Sequence, residues 1–216
     1  MNAYLRNFLV VILVLIPMQA AFSLPGMFDI QTVDIPRQFT AMGNRSSAMD
    51  ANSHLHAAYG GKQLYYATNK SGSWVTTIVD THYLVGAGVS IALDSSGHPH
   101  ISYYDMQNQH LKYVRFTGTA WQAPETVDHD AQLGGDVSSL ALDSDDHPHI
   151  IYYDGKNEDL KYAFFDGSGW TIETVASEGD VGKNSSLALD QAGHPHISYA
   201  DLTNENLKYI SHNGTT

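Results

Sequence analysis

SIALDSSGHPHISYYD, residues 90–105, is the stretch on which the reading of this chain turns. It returns almost unchanged as SLALDSDDHPHIIYYD (139–154) and SLALDQAGHPHISYAD (186–201), and more loosely as SSAMDANSHLHAAYGG (46–61). The first His of each copy, His54, His98, His147 and His194, recurs at intervals of 44, 49 and 47 residues. A second block follows each: QLYYATNKSGSW (63–74), HLKYVRFTGTAW (110–121), DLKYAFFDGSGW (159–170) and NLKYISHNGTT (206–216). A third closes three of them, as VTTIVD (75–80), QAPETVD (122–128) and TIETVA (171–176). Self-similarity at such a period is the mark of a repeat architecture.

Each repeat divides into four short segments. The first centres on a small residue, Ala48, Ala92, Ala141 or Ala188. The second alternates from the His pair through Ile101, Tyr103 and Tyr104, and β-branched and aromatic residues of this kind suit a pleated surface. Leu-Lys-Tyr is the third, and Trp followed by alternating Thr, Ile and Val is the fourth. Asp with Gly or Ser, as in Asp94-Ser95-Ser96-Gly97, marks the tight turn between the first two. No helical periodicity appears outside the N-terminus. The expectation is an all-β protein, a β-propeller of four-stranded blades at about 45 residues per blade. The blade units are placed at about 46–88, 89–138, 139–185, and 186–216 plus 26–34.

That last assignment joins the two ends of the chain. Gly26-Met27-Phe28-Asp29-Ile30-Gln31-Thr32-Val33-Asp34 matches Gly169-Trp170-Thr171-Ile172-Glu173-Thr174-Val175, with Phe28 in the Trp place. The strand 28–34 is therefore expected to pair with the last blade and close a ring of four, removing an exposed edge; the alternatives are a fragment of a longer array and two chains forming one larger ring. Ahead of it, Met1–Arg6 is polar, Phe8–Pro17 is apolar, and Ala21-Phe22-Ser23 offers small residues for cleavage. Residues 1–23 read as a secretory signal peptide and 24–216 as a single domain, secreted or periplasmic, with no membrane span after cleavage.

Eleven Lys and Arg against 23 Asp and Glu give a formal charge of −12, which excludes a nucleic-acid backbone as partner. With no Cys there is neither a disulfide framework nor a thiolate metal site. The copies resemble a group of bacterial secreted propeller proteins whose repeats read LALDxxGxPHISYYD, then LKYA, then W and ETVD. More distantly they are similar to fucose-specific lectin-like and sialidase-like propellers. Lectin-like propellers imply a sugar held by aromatic rings, an acid and an Arg between blades. Here the aromatics recur while Arg37, Arg45 and Arg115 stand at unrelated places in the repeat.

Candidate ligand-binding residues are therefore Tyr104, Tyr153, Trp74, Trp121 and Trp170, whose ring faces could stack on sugars. The His pairs allow a second chemistry. His98/His100, His147/His149 and His194/His196, each with an Asp four positions before the first His, offer imidazole and carboxylate to a divalent metal. The structural alternative is that Asp caps the turn, the first His is a turn residue and the second packs beside Tyr; repetition in every copy favours it. No unique nucleophile and base stand out, so no catalytic residue is assigned. The expected function is an exported non-catalytic recognition module for carbohydrate, with no cofactor and with a glycan or surface protein as partner. The alternatives are a protein–protein interaction platform and a metal-dependent hydrolase or lyase.

Overall fold

The computed structural model describes residues 31–34, 46–131 and 138–212. The chain divides at Thr32/Val33 into two compact units, and all the described sheets belong to the second. The proposed signal peptide (1–23) and residues 28–30 of the proposed N-terminal strand (28–34) lie outside the described residues, and residues 31–34 are not in a strand. Among the described residues no helix is long and apolar enough to cross a membrane.

Among the described residues, fifteen strands form four antiparallel meanders. The first sheet holds β1 (Ser47–Met49), β2 (Leu55–Gly60), β3 (Leu64–Thr68) and β4 (Val75–Asp80). The second holds β5 (Val85–Leu93), β6 (Pro99–Asp105), β7 (His110–Arg115) and β8 (Glu125–Asp128). In the third are β9 (Ser139–Leu142), β10 (Pro148–Asp154), β11 (Asp159–Phe165) and β12 (Trp170–Ala176). The fourth has three described strands, β13 (Val181–Leu189), β14 (Pro195–Asp201) and β15 (Asn206–Ser211), in that order. Sequence neighbours pair throughout, as short hairpin loops require.

The turns explain why each copy folds alike. In the first hairpin, Asp94 Oδ1 accepts the N–H groups of Ser96 (2.9 Å) and His98 (2.7 Å). The residue before the His takes a positive φ, as Gly97 (76°) and Gly193 (83°) do without strain. In the second hairpin Asp105 accepts from Gln107 and Asn108 N–H (both 3.0 Å), and Asn108 Nδ2 donates back to it (2.8 Å). Asp154 with Asn157 and Asp201 with Asn204 repeat the arrangement. These are Asx turns, in which a short carboxylate satisfies backbone donors that the reversing chain leaves unpaired.

Two expected boundaries move. β5 and β13 begin at Val85 and Val181, so the divisions at 88/89 and 185/186 fall inside strands. Bulges between Val85, Ala87 and Ser90, and between Val181, Lys183 and Ser186, break the alternation that marks a strand in sequence. Trp121 also stands apart from β8, bridging Phe116 alone. Pro124 before β8 has no N–H to give to a ladder.

The core lies between sheets. Ala58, Leu64 and Tyr66 of the first sheet pack on Val89, Ile91, Ile101 and Tyr103 of the second. Leu111 and Tyr113 meet Leu140, Ile150 and Tyr152. Leu160 and Tyr162 meet Val181, Leu187, Ile197 and Tyr199. The second and third sheets thus bury one face against the preceding sheet and the other against the following one, and the apolar area removed from water at these faces drives the stacking.

A polar latch crosses the first two of these interfaces. Tyr103 of β6 donates to Asp80 Oδ2 at the end of β4 (2.6 Å), and Lys112 Nζ reaches the same oxygen at 3.2 Å. Tyr152 and Lys161 repeat this on Asp128 (2.6 and 3.2 Å). At the third interface Ala176 takes the Asp place, and Lys208 turns to Asp201 of its own sheet at 2.6 Å. Ahead of the first sheet, Tyr59 donates to Asp34 at 2.8 Å, and Val33 packs with Tyr59, Tyr65, Ala67 and Trp74.

Candidate functional site: the clefts between sheets

The clearest site geometry lies where one sheet meets the next, at the end carrying the His hairpins. Between the first and second sheets a cleft of about 220 Å³ is lined by His56, Tyr66, Thr68, Lys70 and Thr77 on one side. His98, Pro99, Phe116 and Trp121 line the other. Trp121 stands edge-on to Tyr66 (centroids 5.2 Å) and to Phe116 (5.6 Å). At the next interface Trp170 stands edge-on to Tyr113 (5.3 Å), and its Nε1 donates to Glu125 (3.2 Å).

The same place between the third and fourth sheets opens to about 440 Å³, among His149, Tyr162, Phe164, Glu173, His194 and His212. No described residue there fills the position that Trp121 and Trp170 occupy in their sheets. The result is an apolar floor of rings with imidazole and carboxylate at the rim. Ligand pockets combine these features, apolar surface for affinity and a few polar groups for orientation.

The His pairs are built into the hairpins. His54 Nδ1 lies 2.9 Å from Asp50 Oδ2, and His56 Nε2 is 3.7 Å from the same oxygen. His98 and His100 stand 3.1 and 3.8 Å from Asp94 Oδ2, and His147 and His149 both 3.5 Å from Asp143 Oδ2. His194 and His196 stand 3.1 and 3.7 Å from Asp190 Oδ2.

Each second His places Nδ1 on a Tyr hydroxyl: His56 on Tyr66 (2.6 Å), His100 on Tyr113 (2.6 Å), His149 on Tyr162 and His196 on Tyr209. The buried hydroxyl donates to Nδ1, which leaves the ring proton on Nε2 facing the Asp. Burial holds His56, His100 and His149 below the usual imidazole range, His100 at about 4. Burial likewise pushes the hydroxyls of Tyr66, Tyr113 and Tyr162 up, so they stay protonated donors.

This chain of Asp, His and Tyr ties the hairpin to the third strand, with Nδ1 of each second His engaged by a Tyr hydroxyl. Among the described residues, Asp143, Asp145 and His147 bring ligand atoms close enough together for a cation. There Asp143 Oδ1 already accepts the N–H groups of Asp145 (2.9 Å) and His147 (2.8 Å).

Of the five rings singled out from sequence, Trp121 lines a cleft and Trp170 holds the matching place one sheet on. Trp74 packs beside Val33 and Tyr65 on the opposite face of the first sheet. Tyr104 and Tyr153 are buried. Tyr104 donates to the Tyr153 carbonyl (3.3 Å), and Tyr153 donates to Asp180 (2.8 Å) beneath Lys183. Their ring faces belong to the packing between sheets. The aromatics that face the clefts instead are Tyr66, Phe116, Tyr162 and Phe164. Their sequence signal was present: Leu-Lys-Tyr recurs, and its Tyr falls thirteen residues after the second His in three copies.

Compared with solved structures, the chain is similar to SapL1 lectin in complex with alpha methyl fucoside at 15% identity and TM-score 0.53, over 74% of this chain and 60% of that one. It is also similar to a protein of unknown function from Dyadobacter fermentans at 13% identity and TM-score 0.55, over 78% and 65%. The fold is β-propeller-like. The chain thus spans about three fifths to two thirds of the length of these two structures, and each of its described sheets is a blade-like antiparallel meander. A fucose lectin from Kordia zhangzhouensis in complex with methyl-fucoside matches at 22% identity and TM-score 0.41, over 61% of this chain and 98% of that one. No family model matches the chain, and no curated protein matches it.

Proposed function

We propose that this protein is an exported, non-catalytic recognition module that binds carbohydrate in the clefts between its blades. The observation that carries the reading is the cleft between the first and second blades. Rings of Tyr66, Phe116 and Trp121 form an apolar floor, with His56, His98, Thr68, Thr77 and Lys70 at its rim. A sugar ring has an apolar face for aromatic stacking and hydroxyls for polar neighbours. Supporting it, a lectin solved in complex with alpha methyl fucoside is among the chains of similar fold. The repetition of the cleft adds a further point, because several weak sites on one rigid body bind a multivalent surface with avidity. An interaction platform would favour a broad exposed aromatic face, whereas the large exposed rings among the described residues are Tyr83 and Tyr209. In the same proposal, the fourth blade takes residues 28–34 as its fourth strand, with Phe28 in the Trp place.

The test is glycan-array binding by the purified protein, with and without a chelator. Binding that survives chelation is the expected result, and binding abolished by it would transfer the role to the Asp–His hairpins. Trp121→Ala is expected to weaken the best glycan about tenfold, the loss of one stacking contact, whereas Trp121→Phe retains most of the affinity. Equal binding by Trp121→Ala and the parent, both folded by circular dichroism, would place the sugar elsewhere.

A further inference from the structure

The fourth blade differs from the other three in what it leaves uncovered. Leu64, Leu111 and Leu160 are fully buried under the next element, whereas Leu207 at the same place in β15 is 83% exposed. Tyr209 is 63% exposed where Tyr66, Tyr113 and Tyr162 are buried. Among the described residues β15 is also the edge of its sheet, while β3, β7 and β11 are each paired on both sides. An exposed edge beside an apolar face is a template for an added strand.

The strand that fits it is identified by a second observation. Val33 and Asp34 occupy, against the first blade, the places that Val79 and Asp80 occupy against the second. Val33 packs on the Tyr59 cluster as Val79 packs on that of Tyr103. Tyr59 donates to Asp34 at 2.8 Å as Tyr103 donates to Asp80 and Tyr152 to Asp128, each at 2.6 Å. Asp34 therefore stands, against the first blade, at the place where the preceding blade's fourth strand ends in the other copies of the repeat. Yet it is anchored to the first blade of its own chain, while the fourth blade of that chain leaves Leu207 and Tyr209 in solvent.

We propose that two copies of this chain assemble head to tail, each fourth blade accepting as its outer strand the segment ending in Asp34 of the other copy. This rests on the reading that residues 28–34 complete a blade, and adds which chain supplies them. The register follows from the three complete blades, where Leu64 pairs with Asp80, Leu111 with Asp128 and Leu160 with Ala176. Leu207 of one copy then pairs with Asp34 of the other. The exchange covers Leu207 and Tyr209 and is reciprocal, so neither copy is left with a three-stranded blade.

The chain has no Cys, so a designed pair reports the contact without background. Antiparallel partners lie within disulfide reach, their Cα atoms about 4.5–5.5 Å apart. The chain carrying Asp34→Cys and Leu207→Cys is oxidised and run on a non-reducing gel, and the unsubstituted chain is weighed by light scattering after size exclusion. The expected result is a covalent two-chain species and a solution mass of two chains. A cross-link within one chain, with a one-chain mass, would overturn exchange between copies while keeping the completed blade. No cross-link in either form would overturn both. Glycan binding is read separately and stands or falls by its own assay.

Discussion

Asp80→Ala is expected to destabilise the protein by about 3–5 kcal/mol, the range found when one partner of a buried ionic pair is removed. Asp80 is almost fully buried and does four things at once. Its Oδ2 accepts from Tyr103 (2.6 Å) and Lys112 (3.2 Å); its Oδ1 accepts the His82 N–H (3.0 Å) and lies 2.6 Å from His82 Nδ1. Burial alone would raise its carboxyl, but the Tyr103 and His82 hydrogen bonds and the Lys112 charge outweigh it and hold the group at about 2. Alanine leaves a buried ammonium and a buried hydroxyl without their acceptor. Both sit in the interface between the first two blades.

The chain holds its own control for this prediction. At the third interface Ala176 already stands in the Asp place, and Lys208 is served by Asp201 within its own blade. The loss in Asp80→Ala therefore belongs chiefly to the stranded Lys112. Asp80→Ala/Lys112→Met is expected to recover about half of it, since an apolar side chain of similar length leaves no charge to solvate. Urea unfolding midpoints of the parent, the single and the double variants measure this. A single variant within about 1 kcal/mol of the parent would show that the latch adds nothing to blade packing.

Acid is expected to weaken the fold in a defined window. His56, His100 and His149 are held neutral by burial, His100 down to about 4 against an ordinary 6.5. Between these values the unfolded chain binds a proton at this site and the folded chain does not, so stability rises with pH there. The contribution is complete above 6.5, falls as pH drops, and is gone below about 4. For His100 it amounts to about 3 kcal/mol, and His56 and His149 act in the same direction. Asp80 and the other depressed carboxylates behave likewise only at lower pH, from their ordinary 3.8 downward. Thermal unfolding at pH 7.5, 6, 5 and 4 separates the two. A midpoint that stays flat from pH 7.5 to 5 would refute the assignment of these rings as buried and neutral.

Much of this was legible because the repeat gives four readings of one unit. Residues that recur at one place, such as Ala92 and Asp94, mark inner strands and turns whichever copy is read. The second His also recurs beside a Tyr, and His56, His100 and His149 are buried there. Other features were hidden. The start of β5 was not visible, because bulges around Gly86 and Gly88 destroy alternation where the strand bends. Tyr104 and Tyr153 could not be told from surface rings, since alternation says that neighbours face opposite ways but not that both faces are covered. Here both faces are buried between blades, which is why β6 and β10 have no exposed side.

Sequence by itself determined what depends on neighbours along the chain: four antiparallel units, their hairpins, the Asp caps and the pairing order. Such features arise from hydrogen bonds and side-chain alternation within a few residues, and a repeat states them several times. Tertiary structure decided what depends on residues far apart: which rings face a cleft, where Lys112 finds its carboxylate, and that Val33 and Asp34 lie on the first blade while Leu207 and Tyr209 stay in solvent. Those outcomes depend on how one blade stacks on the next. Stacking is driven by buried area, which is non-directional, so strand periodicity alone does not specify it.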